Sequence, residues 1–262
     1  MAIFAINTLI NGDSMDYANK KKSLSAFVQP IVNTYSEQTI GLEVLLRYRC
    51  ENNDQCHYVS PVSALKELNT VKEFNSVTIC LFRLVIPHMQ AIKNSSISFL
   101  TFNIIPQQLV CDDFVNEVAM FKQLMPSGVN LILEVIEGYG VHLDVNIRRS
   151  MNQLSEHNVF FAIDDFGNKS LALRYIKQPQ FSLLKLDKSL AAMSQGKLDF
   201  EKAIKSMVTI TNKLGVKLVV EGVETQRQLT LLQRCGVQNF QGFFYARPCH
   251  IKEYFTEKEA VN

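Results

Sequence analysis

Two neighbouring carboxylates, Asp164 and Asp165, end an unbroken apolar run, Val159-Phe160-Phe161-Ala162-Ile163, and are followed by Phe166-Gly167. Two negative charges about 4 Å apart repel by roughly 1 kcal/mol in water and about 4 kcal/mol at an effective dielectric of 20, so a cation belongs beside them. Other apolar runs also carry a polar residue within them or at their ends: Glu43, Asn103, Glu134, Lys185 and Glu221. The five carboxylates and one amide oxygen form a hard, oxygen-only ligand set of the kind that holds Mg²⁺ or Mn²⁺. Two such ions about 3.5–4 Å apart can clamp a phosphodiester and activate a water for in-line attack. His57, His88, His142, His157 and His250 are scattered without a His-x-x-x-His pair, so zinc is not indicated. Taken singly, each residue has a structural reading: Glu43 pairs with Arg47, Asn103 caps a turn before Pro106, Lys185 bridges to Asp187, and Glu221 to Thr225 starts a helix. Together they argue for phosphate chemistry.

The elements that must position these groups follow from hydrophobic pattern. An apolar run without alternation suits a parallel strand covered on both faces. Neighbouring strand residues point to opposite faces, so Asp164 and Asp165 share a site only if the chain bends at once. Residues 26–32 and 39–48 read as a hairpin, because the link between them is too short for a helical crossover. Residues 61–68 read as a helix with Ser60 as N-cap and Pro61 at its first position. A helical region over 71–93 is interrupted at Pro87. Strands over 97–105, 129–137, 160–167, 181–187, 216–221 and 239–244 then alternate with helices over 112–124, 143–157, 170–177, 198–214 and 226–235, and a last helix begins near 250. Regular alternation with no linker-like break predicts one α/β domain, and about eight strands favour a barrel. In a barrel the strand ends converge on one face.

At 262 residues the chain has the usual length of one α/β barrel. A net charge of +2 with 20% charged residues gives no argument for binding a DNA or RNA duplex or a membrane. Lys20-Lys21-Lys22 reads as a solvated turn. Six cysteines without a Cys-x-x-Cys pair behave as small hydrophobes and suit a reducing compartment. Met1 to Ile6 lacks a basic n-region, and no stretch approaches the ~18 apolar residues that span a bilayer, so the expected location is cytoplasmic.

Seven segments carry a family resemblance: Glu43-Val44-Leu45-Leu46-Arg47, Phe102-Asn103-Ile104-Ile105-Pro106-Gln107-Gln108-Leu109, Leu133-Glu134-Val135-Ile136-Glu137, Ile163-Asp164-Asp165-Phe166-Gly167, Leu184-Lys185-Leu186-Asp187, Glu221-Gly222-Val223-Glu224-Thr225 and Phe240-Gln241-Gly242-Phe243. In order and spacing they resemble the motifs of EAL domains, over roughly residues 24 to 256. The resemblance implies a TIM-like (β/α)8 barrel with an irregular, antiparallel first strand, preceded by an arm over 1–23. It implies a bacterial, metal-dependent phosphodiesterase that opens cyclic di-GMP to linear pGpG, in the signalling that governs biofilm and motility. By position it makes Glu43, Asn103, Glu134 and Asp164 ligands of one ion, with Asp164 and Asp165 serving a second. Glu221 and Lys185 position or activate the water, and Gln29, Arg47 and Gln241 contact substrate. Glu137 braces the loop after Asp165, and Glu224 supports the site from behind.

Two departures stand out. Val44 replaces the alanine of the family signature, and Asn168-Lys169-Ser170 replaces the usual small residue or Thr, then Gly, then Tyr. That loop helps hold the second ion and contributes to a homodimer contact in the family. A catalytically silent module that senses cyclic di-GMP or binds a protein is therefore the alternative to an enzyme. A protein kinase is excluded: Asp165-Phe166-Gly167 copies its magnesium tripeptide, but the glycine-rich loop and His-Arg-Asp loop are missing.

Overall fold

The computed structural model describes residues 22–52, 55–59, 68, 70–135, 144–167 and 175–259. The expected arm, the helix over 61–68, Glu137 and the 168–170 loop lie outside the described residues, apart from Lys22, Ser23 and Leu68 at the edges.

The first long strand, β1 (Lys22–Asn33), runs antiparallel to β2 (Gln38–Asn52), with a register shift between Ile31 and Val32. A short third strand, β3 (Gln55–Val59), extends the hairpin from β2; the sequence pattern did not anticipate it. Parallel strands follow: β4 (Phe99–Ile104), β5 (Asn130–Val135), β6 (Val159–Phe166), β7 (Phe181–Leu186), β10 (Lys217–Val220) and β11 (Asn239–Phe240). β11 pairs back onto β1, which pairs with β2, so eight strands close a mixed barrel. A small hairpin of β8 (Met193–Ser194) and β9 (Lys197–Leu198) lies outside it. β12 (Cys249–His250) lies alongside β1.

Helices cover the barrel: α1 (Val71–Val85), α2 (Met89–Lys93), α3 (Asp112–Leu124), α4 (Val145–Glu156), α5 (Glu201–Leu214), α6 (Gln226–Arg234) and α7 (Ile251–Glu259). Thr70 and Glu73 form a capping box at the start of α1, and Thr225 and Gln228 form one at the start of α6. Pro87 sits in a 3-10 turn, Ile86–His88, that separates α1 from α2 as expected of a residue without an N–H. Phe82 stacks on Phe121, and both meet Phe102 edge-on, so α1 and α3 are locked to β4.

Inside the barrel a second apolar cluster, Ile31, Phe99, Ile132, Ala162, Leu183 and Val219, plugs the end where the parallel strands begin. The side-chain period of a strand is two, so the next inward residues are dictated. They are Thr101 and then Asn103 on β4, Glu134 on β5, Asp164 on β6, Lys185 on β7 and Glu221 just past β10. On antiparallel β1 the corresponding residue is Gln29. On β2, Glu43 follows Gly41, where a Cβ would lie 2.2–2.7 Å from the Phe99 ring. Glu43, Glu134, Asp164 and Glu221 thus stand one step above the floor on their strands, and Asn103 two steps above Phe99.

Three expectations need correction. Residues 175–177 form a turn and not the end of a helix. α5 begins at Glu201, because residues 193–198 are occupied by the small hairpin. β11 is two residues long and not six: beyond Phe240 the chain wraps around Val223, with Val223 N–H donating to Gln241 O and Phe244 N–H to Val223 O.

Candidate active site

The two adjacent acids share the site through a bulge. Ile163 pairs with Leu184 and Phe166 with Leu186, so β6 spends one residue more than β7 over the same rise. Asp165 takes up the extra residue with φ +53°, a left-handed conformation that Asp tolerates better than most residues. Gly167 follows at φ +118°, where a Cβ would also strike Leu190.

Lys185 is the electrostatic centre. Its Nζ lies 3.2 Å from Glu43, 3.0 Å from Glu134, 3.3 Å from Asp164 and 2.6 Å from Glu221, and the residue is 1% exposed. The suggested bridge to Asp187 is replaced by these four contacts. Asp187 instead accepts from Ser189 N–H and caps the 3-10 turn Lys188–Ala191. Burial alone would deprotonate Lys185, but the surrounding acids hold its pKa well above the ordinary range.

One ammonium cannot neutralise all the acids. Burial, joined by the charges of Glu43 and Asp164, pushes Glu134 well above the carboxylate range against the pull of Lys185. Burial and Glu43 likewise raise Asp164. Burial together with Asp164 and Asp187 raises Asp165 to about 6, and burial with Asp164 and Glu43 raises Glu221 to about 8. Glu43 goes the other way: burial pushes it up, but Lys185 and hydrogen bonds from Gln241 and Asn103 outweigh that and hold it low. The raised pKa values of Glu134, Asp164, Asp165 and Glu221 favour bound protons there, the mark of a site rich in negative charge.

The remaining expected residues are brought to the same cleft, with altered neighbours. Gln241, expected against substrate, is buried, and its Nε2 donates to Glu43 Oε2 at 2.6 Å and to Gln29 Oε1 at 3.1 Å. Gln29 Nε2 in turn donates to Ala246 O at 3.1 Å. Arg47 does not pair with Glu43 through a hydrogen bond; its Nη1 donates to Leu46 O, and its guanidinium lies 5.8 Å from the Phe27 ring centroid. Asn103 does not cap the turn before Pro106; its Nδ2 donates to Glu43 Oε1 at 2.9 Å. Glu224, expected as support from behind, is exposed on the rim. A cleft of about 460 Å³ opens over the cluster, also lined by Leu45, Asp187, Lys188, Phe243 and Pro248, which sequence reasoning had not placed at the site. Asp187 was the legible one among them, standing two residues after Lys185 on the same strand face.

The donor set fits a hard divalent cation. Asp164, Asp165 and Glu221 each offer a carboxylate oxygen, and these atoms lie within 4.8 Å of one another. Glu134 Oε1 is buried without a hydrogen-bond partner, and Asn103 spends its amide N–H on Glu43, leaving its carbonyl oxygen for a cation. Glu221, expected mainly as a base, thus offers one of the three oxygens grouped beside the Asp pair.

Comparison with known proteins agrees with this geometry. The EAL domain family profile matches residues 13–248. The probable cyclic di-GMP phosphodiesterase PdeD of Escherichia coli K12 is 29% identical over 232 residues, which are 87% of this chain and 42% of PdeD. The cyclic di-GMP phosphodiesterase PdeL of the same organism is 30% identical over 147 residues, 56% of this chain and 39% of PdeL. The chain thus spans less than half the length of these curated relatives. Among solved structures, an EAL domain protein from Listeria monocytogenes EGD-e superposes with a TM-score of 0.74 at 20% identity, covering 91% of this chain and 93% of that one. The PaMucR phosphodiesterase, solved as a c-di-GMP complex, superposes with a TM-score of 0.70 at 25% identity, covering 88% and 99%. The chain belongs to the EAL domain family.

Proposed function

We propose that the protein hydrolyses cyclic di-GMP to linear pGpG in a divalent-metal-dependent reaction. The single observation that carries this reading is the ring of acids around Lys185, which combines one permanent cation with an oxygen-only set still short of positive charge. Relatives named as cyclic di-GMP phosphodiesterases supply the substrate.

Glu43, Asn103, Glu134 and Asp164 would hold one ion, and Asp164, Asp165 and Glu221 a second, either Mg²⁺ or Mn²⁺. Bound there, the ions supply Lewis acidity toward the phosphodiester and lower the pKa of a water. The chain's own groups do the rest. Arg47 offers a guanidinium whose planar fork matches a phosphate. Lys185 holds the carboxylates in place and stabilises negative charge that builds on the phosphoryl oxygens. Water attacks phosphorus, the P–O3′ bond breaks, and the 3′-oxygen leaves as a hydroxyl while the 5′-phosphate stays on the product. Glu221 is the carboxylate suited to take the proton from that water, and the same proton, returned from Glu221, completes the leaving 3′-hydroxyl. Glu137 and the homodimer contact remain with the loop around 168–170. No described helix is long and apolar enough to cross a membrane, and we take the protein to act in the cytoplasm on a diffusible nucleotide.

The test is incubation of the purified protein with cyclic di-GMP and Mn²⁺ or Mg²⁺, following pGpG. Product that disappears with EDTA and with Glu43→Ala supports the enzyme. Tight nucleotide binding without product, unaltered by restoring Gly at 169, establishes the silent sensor instead.

A further inference from the structure

Above the acids, the same barrel-facing side of the sheet continues as an aromatic surface. Strand parity puts Phe27 on the face of Gln29, and Leu45 and Arg47 on the face of Glu43. His250 is the direct partner of Phe27 across β12 and β1, and Tyr58 pairs with Arg49, two residues beyond Arg47. The three rings meet: Phe27 and Tyr58 have centroids 4.9 Å apart, Phe27 and His250 5.7 Å, and Tyr58 and His250 6.0 Å. Arg47 joins this trio to the cleft, lining the cleft while its guanidinium sits 5.8 Å over Phe27. Tyr58 is 41% exposed, on a hairpin that projects beyond the barrel's own strands. His250 Nδ1 accepts from Lys252 N–H, which leaves its Nε2 as the ring's donor.

We propose that Phe27, Tyr58 and His250 form a stacking platform for one purine base of the cyclic dinucleotide, with Tyr58 as its exposed face. This rests on the function proposed above. The occupant follows from continuity. A phosphate held at Arg47 and the acids carries a nucleoside on each side, and the surface that continues past Arg47 is aromatic with a ring N–H at its edge. Aromatic rings stack on any purine face, and an imidazole N–H adds a donor for a ring nitrogen or carbonyl oxygen. The platform sets purine affinity and takes no part in the chemical step, so Tyr58 is a specificity residue and not a catalytic one.

Two measurements test this. Tyr58→Ala should raise KM for cyclic di-GMP about tenfold, the loss of one base–aromatic contact, with kcat kept within about twofold. His250→Ala should move KM in the same direction, and Tyr58→Phe should restore it. The chain contains no tryptophan, so Tyr58→Trp gives a single reporter at the platform, and its emission should be quenched as cyclic di-GMP binds. A wild-type KM in Tyr58→Ala, or unquenched emission while the nucleotide is turned over, overturns the platform and leaves the phosphodiesterase standing; such a surface would belong to a protein partner. Wild-type protein that neither binds nor cleaves cyclic di-GMP overturns both.

Discussion

Gln241 Nε2 donates to Glu43 Oε2 at 2.6 Å across a sequence separation of 198 residues. The contact spans the closure of the barrel, where β11 meets β1 and β1 meets β2. It fixes which oxygen of Glu43 is left for other partners, and Gln29 steadies Gln241 from the other side.

Gln241→Leu should therefore weaken divalent-ion binding by about 10- to 100-fold, the usual cost of losing a group that orients a ligand. Calorimetric titration with Mn²⁺ reads this directly. An affinity equal to wild type would mean that Asn103 and Lys185 suffice to hold Glu43.

Lys185→Met should destabilise the metal-free protein by about 3–5 kcal/mol, because it strands four acids, three of them buried, without their cation. Urea denaturation with EDTA measures it. The loss should be smaller at pH 5, where protonation relieves the repulsion, and Mn²⁺ should recover part of it. Equal stability with and without the lysine at pH 8 would contradict its central position.

The stored protons give a pH dependence with a definite sign. Glu221 is raised from 4.5 to about 8 and Asp165 from 3.8 to about 6. A carboxyl whose pKa is higher in the folded state stabilises the fold below its unfolded value, and that contribution is lost as pH rises through the folded value. Glu134 and Asp164 are shifted in the same direction. Glu43 is shifted down and acts below pH 4.5, outside this window. The Tm of metal-free protein should therefore fall between about pH 5 and 8, and saturating Mg²⁺ or Mn²⁺ should flatten the curve. Ion binding should tighten over the same range with release of protons, seen as a buffer-dependent heat. A Tm that rises from pH 5 to 8 without metal would refute the assignment.

The apolar floor can be probed at Gly41. A methyl there meets the Phe99 ring at 2.2 Å, so Gly41→Ala should cost about 1–3 kcal/mol by overpacking. Adding Phe99→Leu should return part of it, a coupling that thermal melts of the single and double variants can resolve. Additive losses would place the strain elsewhere.

Much of this was legible from pattern. The helix over 112–124 has the expected bounds because its acidic start and apolar periodicity are local signals. The strands ending in Glu134 and Lys185 were readable because buried parallel strands are continuous apolar runs. The shortness of β11 was not, since it depends on backbone groups that Val223 satisfies from a distant stretch of chain; the β8–β9 hairpin turns locally through Gln195 and Gly196, both at positive φ, inside a stretch that the pattern reads as loop. Asp187 was read as a partner for Lys185 because spacing of two puts both on one face, and proximity on a strand does not reveal stronger competitors across the barrel.

The sequence by itself determined the α/β alternation, the barrel and which strands carry a polar residue toward their ends, because each depends on residue type and on a period of two along a strand. Only the tertiary structure decided how those groups meet. It made Lys185 the shared partner of four acids, joined Gln241 to Glu43 across the closure of the barrel, and bent β6 at Asp165 so that two adjacent carboxylates face one cleft. Such arrangements are set by barrel stagger and by competition for few cations and donors in a buried volume, and neither is written in any single stretch of chain.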